Sequence, residues 1–351
     1  MKSDERQLKV LEFVVDIFID TGEPVSSSAV CEKLENSVSS ATIRNDMTKL
    51  ERLGYLVQPH TSAGRVPTYK GFRMYVDRLM KPFYLTDKEK AKIDEMLSKN
   101  LTCITDIVEN SSLALAQFTD LAVVSISSAR KFFVISKVEV IPAGRRVYAV
   151  LVVASSGEIK NKICRLNFDI TDSQLHFFKK IINESLVGNT VEILDNVFID
   201  NLVVSLGSYI YSLSPFLNAL CDISNEILKR QVNFKGEENL LKYDGLKANE
   251  LMEFMSAKSK VEGILSTAFS GVNILFGKED DSFVVGNSSL IMAKYGSKEA
   301  LGSFGVIGPI RLNYKKILPY VSYFSKSMTS LIERFGKEIE GGGGCVESSK
   351  K

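Results

Sequence analysis

The alternation of apolar and polar positions divides the chain into two differently built parts. Near the N-terminus, Leu8, Leu11, Val15 and Phe18 recur at helical spacing behind a cap at Ser3 or Asp4, and Thr21-Gly22-Glu23-Pro24 stops that helix. A short helix opened by the serines at 26–28 offers Ala29, Val30 and Leu34 to a core, and Asn36-Ser37-Val38-Ser39 reads as a turn. A third helix opens at Ser39 or Ser40, runs to Leu53 and ends at Gly54, with Ile43, Met47, Leu50 and Leu53 on one side. Tyr55–Gln58 and Arg65–Thr68 are short extended pieces around a tip containing Pro59 and Gly64, a hairpin, and Gly71–Met80 is a closing helix ended by Lys81-Pro82. Helix, helix, turn, helix and hairpin in this order predict a winged helix-turn-helix.

Farther along, 87–118 is patterned as a helical layer and Asp120–Ser127 as a strand. Three strands, Lys131–Ile141, Arg145–Ser155 and Glu158–Asn167, follow with tight turns at Pro142-Ala143-Gly144 and Ser155-Ser156-Gly157. Helical patterning covers Ser173–Ser185 and 196–230. Strands are predicted at Val272–Phe276, Ser282–Lys294 and Leu301–Ile310, and a last helix at Tyr314–Phe335. The glycines at 341–344 and the polar residues after them predict a flexible tail over 341–351. The fold class expected is α+β and multidomain.

Composition adds little: 351 residues, 45% hydrophobic and 25% charged, with a net charge of +2. The distribution of charge adds more. Residues 1–43 hold four Lys/Arg against eight Asp/Glu, whereas 44–81 hold eight against three, a local balance of +5 suited to phosphates. The five cysteines (31, 103, 164, 221, 345) are dispersed and the histidines are only His60 and His176, so no structural zinc pattern can be written and reduced thiols in a cytoplasmic protein are expected. No cofactor is expected. The longest apolar run, Val147–Ala154, is far short of the ~20 residues a membrane helix needs.

The third helix carries the candidate chemistry. Its polar side is Ala41, Asn45, Thr48 and Arg52, flanked by Arg44 and Lys49. These types read base edges: arginine toward guanine, asparagine toward adenine, threonine and alanine toward the thymine methyl. Ser39, Ser40 and Thr42 at the helix start serve as caps and also suit a DNA phosphate. The hairpin tip supplies His60, Thr61, Ser62, Gly64 and Arg65 as a wing along the backbone or in the minor groove. Lys70, Arg73, Arg78 and Lys81 are further candidates for phosphate contact. The opposing reading of each feature is a solvated helix face and a plain surface hairpin.

Catalysis has little to stand on. GxSxG, HExxH and Walker A patterns are absent, and Gly302, Gly305 and Gly308 recur every third residue, a spacing suited to close strand packing. An RNA-binding module is disfavoured because the basic segment lacks an aromatic platform.

The stretch PVSSSAVCEKLENSVSSATIRNDMTKLERLGYLVQPHTSAGRVPTYKGFRMYVDRLM (24–80) resembles the N-terminal domain of the HrcA family of bacterial heat-inducible transcription repressors, and GSFGVIGPIRLNY (302–314) resembles that family's C-terminal signature. The family has Gly where Ser26 stands, Thr at 310 and Asp at 313. The resemblance implies a winged helix at 1–81, a connector and first part of a GAF-like domain at 82–130, an inserted dimerisation domain at 131–230 and the remainder of the GAF-like domain at 231–340. It also implies a homodimer on an inverted-repeat operator in double-stranded DNA upstream of chaperone operons of the groE/dnaK class. There the repressor is kept active by the GroEL chaperonin. A rival reading is a metabolite-sensing repressor in which Arg311, Asn313 and Tyr314 line a GAF-like pocket; the alternative role for those three is packing against a neighbouring domain or a second subunit.

Overall fold

In a computed structural model the protein is described over residues 3–342, apart from 36, 62, 82, 128–132, 156, 194–201, 203, 205–209, 244–245, 247, 270, 278–285 and 297–301. The fold mixes helices and antiparallel sheets, as an α+β class requires.

Three helices, α1 (Ser3–Thr21), α2 (Ser27–Lys33) and α3 (Ser40–Arg52), precede a hairpin of two-residue strands, β1 (Leu56–Val57) and β2 (Val66–Pro67). The stripe that α1 buries is Val10, Leu11, Val14 and Val15, while Leu8 is left 41% exposed. The closing segment is not one helix. A short α4 (Tyr69–Met74), capped by the Thr68 hydroxyl on the Gly71 amide, passes into a π-helical turn at Tyr75–Leu79 that directs Tyr75 inward.

The helical layer at 87–118 is two helices, α5 (Asp87–Leu97) and α6 (Ile104–Thr119), parted by a break at 98–103. They lead into a five-stranded antiparallel sheet in the order β7-β3-β10-β9-β8. Its strands are β3 (Ala122–Ser127), β7 (Gln231–Lys235), β8 (Val272–Phe276), β9 (Ser288–Tyr295) and β10 (Gly302–Pro309). Both faces of this sheet are covered, so its central strands read as continuous apolar runs rather than alternating ones. Val123, Ile291, Ala293 and Val306 face α6 and the last helix, α11 (Tyr314–Gly342). Val124, Leu290, Met292 and Ile307 pack with apolar residues of α9 (Ala248–Ser256) and α10 (Lys258–Ser266). Gly302 is required by packing: a Cβ there would lie 2.2 Å from the Tyr295 ring.

Between β3 and β7 the chain builds a body with its own core. A three-stranded meander, β4 (Ile135–Gly144), β5 (Val147–Ala154) and β6 (Ile159–Arg165), buries Val138, Val140, Val150 and Val152. Against them pack Phe178 and Ile182 of α7 (Asp172–Leu186) and Phe216 and Leu220 of α8 (Ile210–Leu228). The segment read as helical from 196 is described as continuous helix only from 210, and 282–285 of the strand read at 282–294 lie outside the described residues. The last helix extends past Phe335 to include Gly341 and Gly342; the rest of the segment read as a tail, with Cys345, lies outside the described residues. Cys31, Cys103, Cys164 and Cys221 form no disulfide. Among the described residues no helix is long and apolar enough to cross a membrane.

Side-chain hydrogen bonds hold α5 to α11. Tyr320 donates to Glu89 (2.6 Å), while Tyr323 and Ser327 donate to Asp94 (2.7 and 3.0 Å). Glu89 also closes the capping box of α5, accepting from the Thr86 amide and hydroxyl. The Tyr320 hydroxyl, followed by these Thr86 donors, draws the Glu89 carboxyl down to about 2 from 4.5. A carboxylate depressed in the native state contributes stability that is complete above its unfolded value and is lost as pH falls through the native one. The gap in thermal midpoint between the unmodified chain and Glu89→Gln should therefore be widest above pH 4.5 and close toward pH 2. Melts recorded across that range check this, and a gap independent of pH would contradict it.

Candidate nucleic-acid interface

Helix α3 begins where Ser39, in extended conformation, accepts the Thr42 amide on its hydroxyl, with the Thr42 hydroxyl 2.9 Å away. This satisfies one of the free amides of the first turn. The Ser40 hydroxyl pairs with that of Ser27 at 2.9 Å and joins the starts of α2 and α3. At the other end Gly54 takes φ +79°, and the Lys70 ammonium donates to the Leu53 carbonyl (2.9 Å) while lying 4.7 Å from the Tyr55 ring centre. Lys70 thus neutralises the negative end of α3.

The inward face of α3 is Ile43, Met47 and Leu50, together with one charged residue that apolar periodicity had not flagged. Asp46 is 1% exposed and takes a forked contact from Arg6 of α1, at 2.6 and 3.3 Å. The pair fixes both the roll and the register of α3 on α1, because a guanidinium fork meets a carboxylate in one plane. Leu53, expected on the inward face, is the C-cap and is 53% exposed.

The outward face carries Ala41, Arg44, Asn45, Lys49 and Arg52, all exposed; Thr48 is half-buried and its hydroxyl bonds back to the Arg44 carbonyl. Among the described residues, the side chains of Arg44, Asn45, Lys49 and Arg52 have no intramolecular hydrogen bond or ion pair. Three cations and an amide therefore stand free on one side of a helix. A helix is about 10–12 Å across with its side chains, which matches the roughly 12 Å major groove.

The hairpin is tied down beside this face. Gln58 donates to the carbonyls of Thr61 (2.9 Å) and Ala63 (3.0 Å), which shapes the tip. Val25 and Arg65 exchange both backbone hydrogen bonds at 2.9 Å, and a Cβ on Gly64 would sit 2.2 Å from the Val25 carbonyl oxygen. Only glycine admits that approach. His60 and Thr61 are exposed at the tip; Ser62 lies outside the described residues.

Several basic residues expected at DNA are occupied elsewhere. Arg65 is not extended into solvent: its guanidinium pairs with Glu51 of α3 at 2.9 and 3.0 Å and is 16% exposed, so it locks the hairpin to the helix. Lys70 caps α3, and Arg73 lies 4.8 Å from the ring centre of Phe276 in β8. The three residues read as a pocket or an interface divide as well. Asn313 caps the start of α11 on the Lys316 amide, and Tyr314 is fully buried, donating to the Ile310 carbonyl and packing on Phe72 and Phe276. Arg311 lines a cleft of about 600 Å³ between α1, the hairpin and the turn after β10, with its Nη1 against Gly22. Tyr314 thus joins Phe72 of α4 to Phe276 of β8. Among the described residues no cluster of His, Cys, Asp or Glu is placed to hold a metal ion.

Comparison with known proteins adds three findings. A family model described as the HrcA protein C terminal domain matches residues 105–318. A protein of Acetivibrio thermocellus named heat-inducible transcription repressor HrcA is 34% identical over 96% of this chain and 99% of its own length, and one of the same name from Clostridioides difficile is 29% identical over 93% and 98%. A crystal structure titled only as that of a hypothetical protein shares the fold with a TM-score of 0.65, at 25% identity over 94% of this chain and 98% of that one.

The buried pair on α3 yields a direct test. Asp46→Ala leaves the Arg6 guanidinium without its acceptor and empties a buried site under α3, so the variant should be less stable than the parent. Urea titration should show the N-terminal helices unfolding at lower denaturant, and a variant as stable as the parent would remove the pair from the account of how α3 is held.

Proposed function

The chain belongs to the HrcA family of heat-inducible transcription repressors, and from that premise we propose how its own residues carry out negative regulation of transcription. Residues 1–81 act as a winged helix-turn-helix that lays α3 in the major groove, with the hairpin as the wing. The observation that carries this reading is the contrast between the two sides of α3. One side is packed and ion-paired; the other presents Arg44, Asn45, Lys49 and Arg52 without any internal partner. Arg44 and Asn45 read bases, Ala41 and Thr48 meet methyl groups, and Ser39, Ser40, Thr42, Lys49 and Arg52 approach phosphate. In the wing, His60 and Thr61 face the backbone, while Gly64 and Arg65 hold the loop in place.

The five-stranded sheet with helices on both faces supports a GAF-like domain built from about 120–130 and 231–340, and the separate core between β3 and β7 supports an inserted domain at 131–230. That inserted domain is the dimerisation unit. Its meander covers one face with α7 and α8 and leaves the other open, where apolar residues alternate with Lys137, Glu139 and Asn161. There Ile141, Ala149 and Ile163 stand in one cross-strand row, and Ile141, Ile159 and Ile163 are 48%, 55% and 68% exposed. A second copy would cover this face, and a two-fold dimer matches an inverted-repeat operator. Maintenance of the active form by the GroEL chaperonin, and an operator ahead of chaperone operons, are supported by the family resemblance.

A gel shift with inverted-repeat promoter fragments, with and without chaperonin, tests the reading: retarded dimer complexes that chaperonin strengthens are expected, and no retardation at low salt would refute it. Arg44→Ala or Asn45→Ala should relax base preference at one position of each half-site and cost about 1–3 kcal/mol. Equal weakening on all sequences would argue against base reading. Ile159→Glu with Ile163→Glu should turn dimer into monomer in sedimentation, and an unchanged dimer would move the interface elsewhere.

A further inference from the structure

We infer that Asp16, Tyr75 and Lys315 form a positioning node that fixes the direction in which α3 is presented, and with it the half-site spacing the dimer accepts; the inference rests on the dimer-on-operator reading above. Lys315, in the first turn of α11, reaches three elements of the N-terminal region. Its ammonium donates to Asp16 of α1 at 2.7 Å, lies 5.6 Å from the ring centre of Tyr75, and its carbonyl accepts the Phe83 amide from the connector at 3.1 Å. The other Asp16 oxygen accepts the Tyr75 hydroxyl at 2.5 Å. Tyr75 is buried at 1% exposure, so it holds the carboxylate in one orientation and presents its second oxygen to Lys315.

The arrangement is a lever. Helix α1 carries Arg6, which grips Asp46 of α3, and ten residues later carries Asp16, which Lys315 grips from the C-terminal domain. At 1.5 Å per residue the two grips are about 15 Å apart on one rigid helix. The aromatic contacts around Phe72, Phe276 and Tyr314 supply the attraction between α4, β8 and α11. The charge-assisted bonds at Asp16 are directional and add a fixed point to the packing of Phe18 on Phe72 at this end of α1. None of the three residues is near the outward face of α3, so loosening them changes where the reading face points and leaves the face itself intact.

Half-site spacing in a two-fold complex is a geometric property of the dimer, so it reports this angle. The full-length chain should be tested on inverted repeats whose spacers differ by two base pairs, and on a duplex with a single half-site. The unmodified chain should favour one spacer by about tenfold or more. Lys315→Met should flatten that preference to within about threefold while half-site affinity stays within about twofold, and Lys315→Arg should keep the parental profile. Tyr75→Phe, which keeps the buried ring, should flatten it in part and serves if Lys315→Met does not fold. A parental spacer profile in Lys315→Met and Tyr75→Phe would overturn the node alone. Loss of half-site affinity in step with loss of spacing would also overturn it, by making the node a matter of stability. Failure of the unmodified chain to bind any inverted repeat would instead sink the functional reading, and the node with it.

Discussion

The structure depends on Phe72. Its ring packs on Phe18 of α1 at 6.2 Å, on Phe276 of β8 at 6.2 Å and on Tyr314 of α11 at 6.3 Å, so helices from one end of the sequence and a sheet from the other share one core. Each such aromatic pair is worth about 0.5–1.5 kcal/mol beyond the area it buries. The burial itself contributes about 1.5–3 kcal/mol per large side chain. The body built on β4, β5 and β6 has no such continuity: its core of Val138, Val150, Phe178 and Phe216 closes on itself. One part of the chain is therefore coupled tightly to the five-stranded sheet, and another is set apart with an open face.

That division explains what was legible in the sequence. Helix α3, its cap at Ser39 and its split into Ile43, Met47 and Leu50 against Arg44, Asn45 and Arg52 follow from a 3.6-residue period and local capping chemistry. The meander followed from alternation and from the turn at Gly157, but the first turn falls at Arg145-Arg146 and the expected Pro142-Ala143-Gly144 is the end of β4. Asp46 did not follow, because periodicity assigns a charge to solvent, and only Arg6, forty residues away, makes its burial tolerable. The fate of Arg65 was hidden for the same reason: a basic residue in a polar loop looks free until Glu51 is placed beside it. The π-helical turn at Tyr75–Leu79 has no periodic signature, and β7 at Gln231–Lys235 is recognisable only once β3 is available to pair with it.

The comparison of basic residues sharpens the site more than it enlarges it. The positive balance over 44–81 suggested a broad patch, yet Arg65, Lys70 and Arg73 serve Glu51, the end of α3 and the ring of Phe276. The Arg65 charge is met by Glu51, while Lys70 stays exposed as it reaches the end of α3, and together they hold the hairpin and the helix end in register. Of the other five, Arg78 and Lys81 are exposed beyond the hairpin, and Arg44, Lys49 and Arg52 lie on one side of one helix. A diffuse patch would bind any polyanion; three cations around Asn45, on a helix clamped by Arg6 and Lys70, impose an orientation. Recognition of sequence requires that restriction, because a base edge rewards a donor only when the donor arrives from one direction, and an unclamped helix would divide its contacts among many.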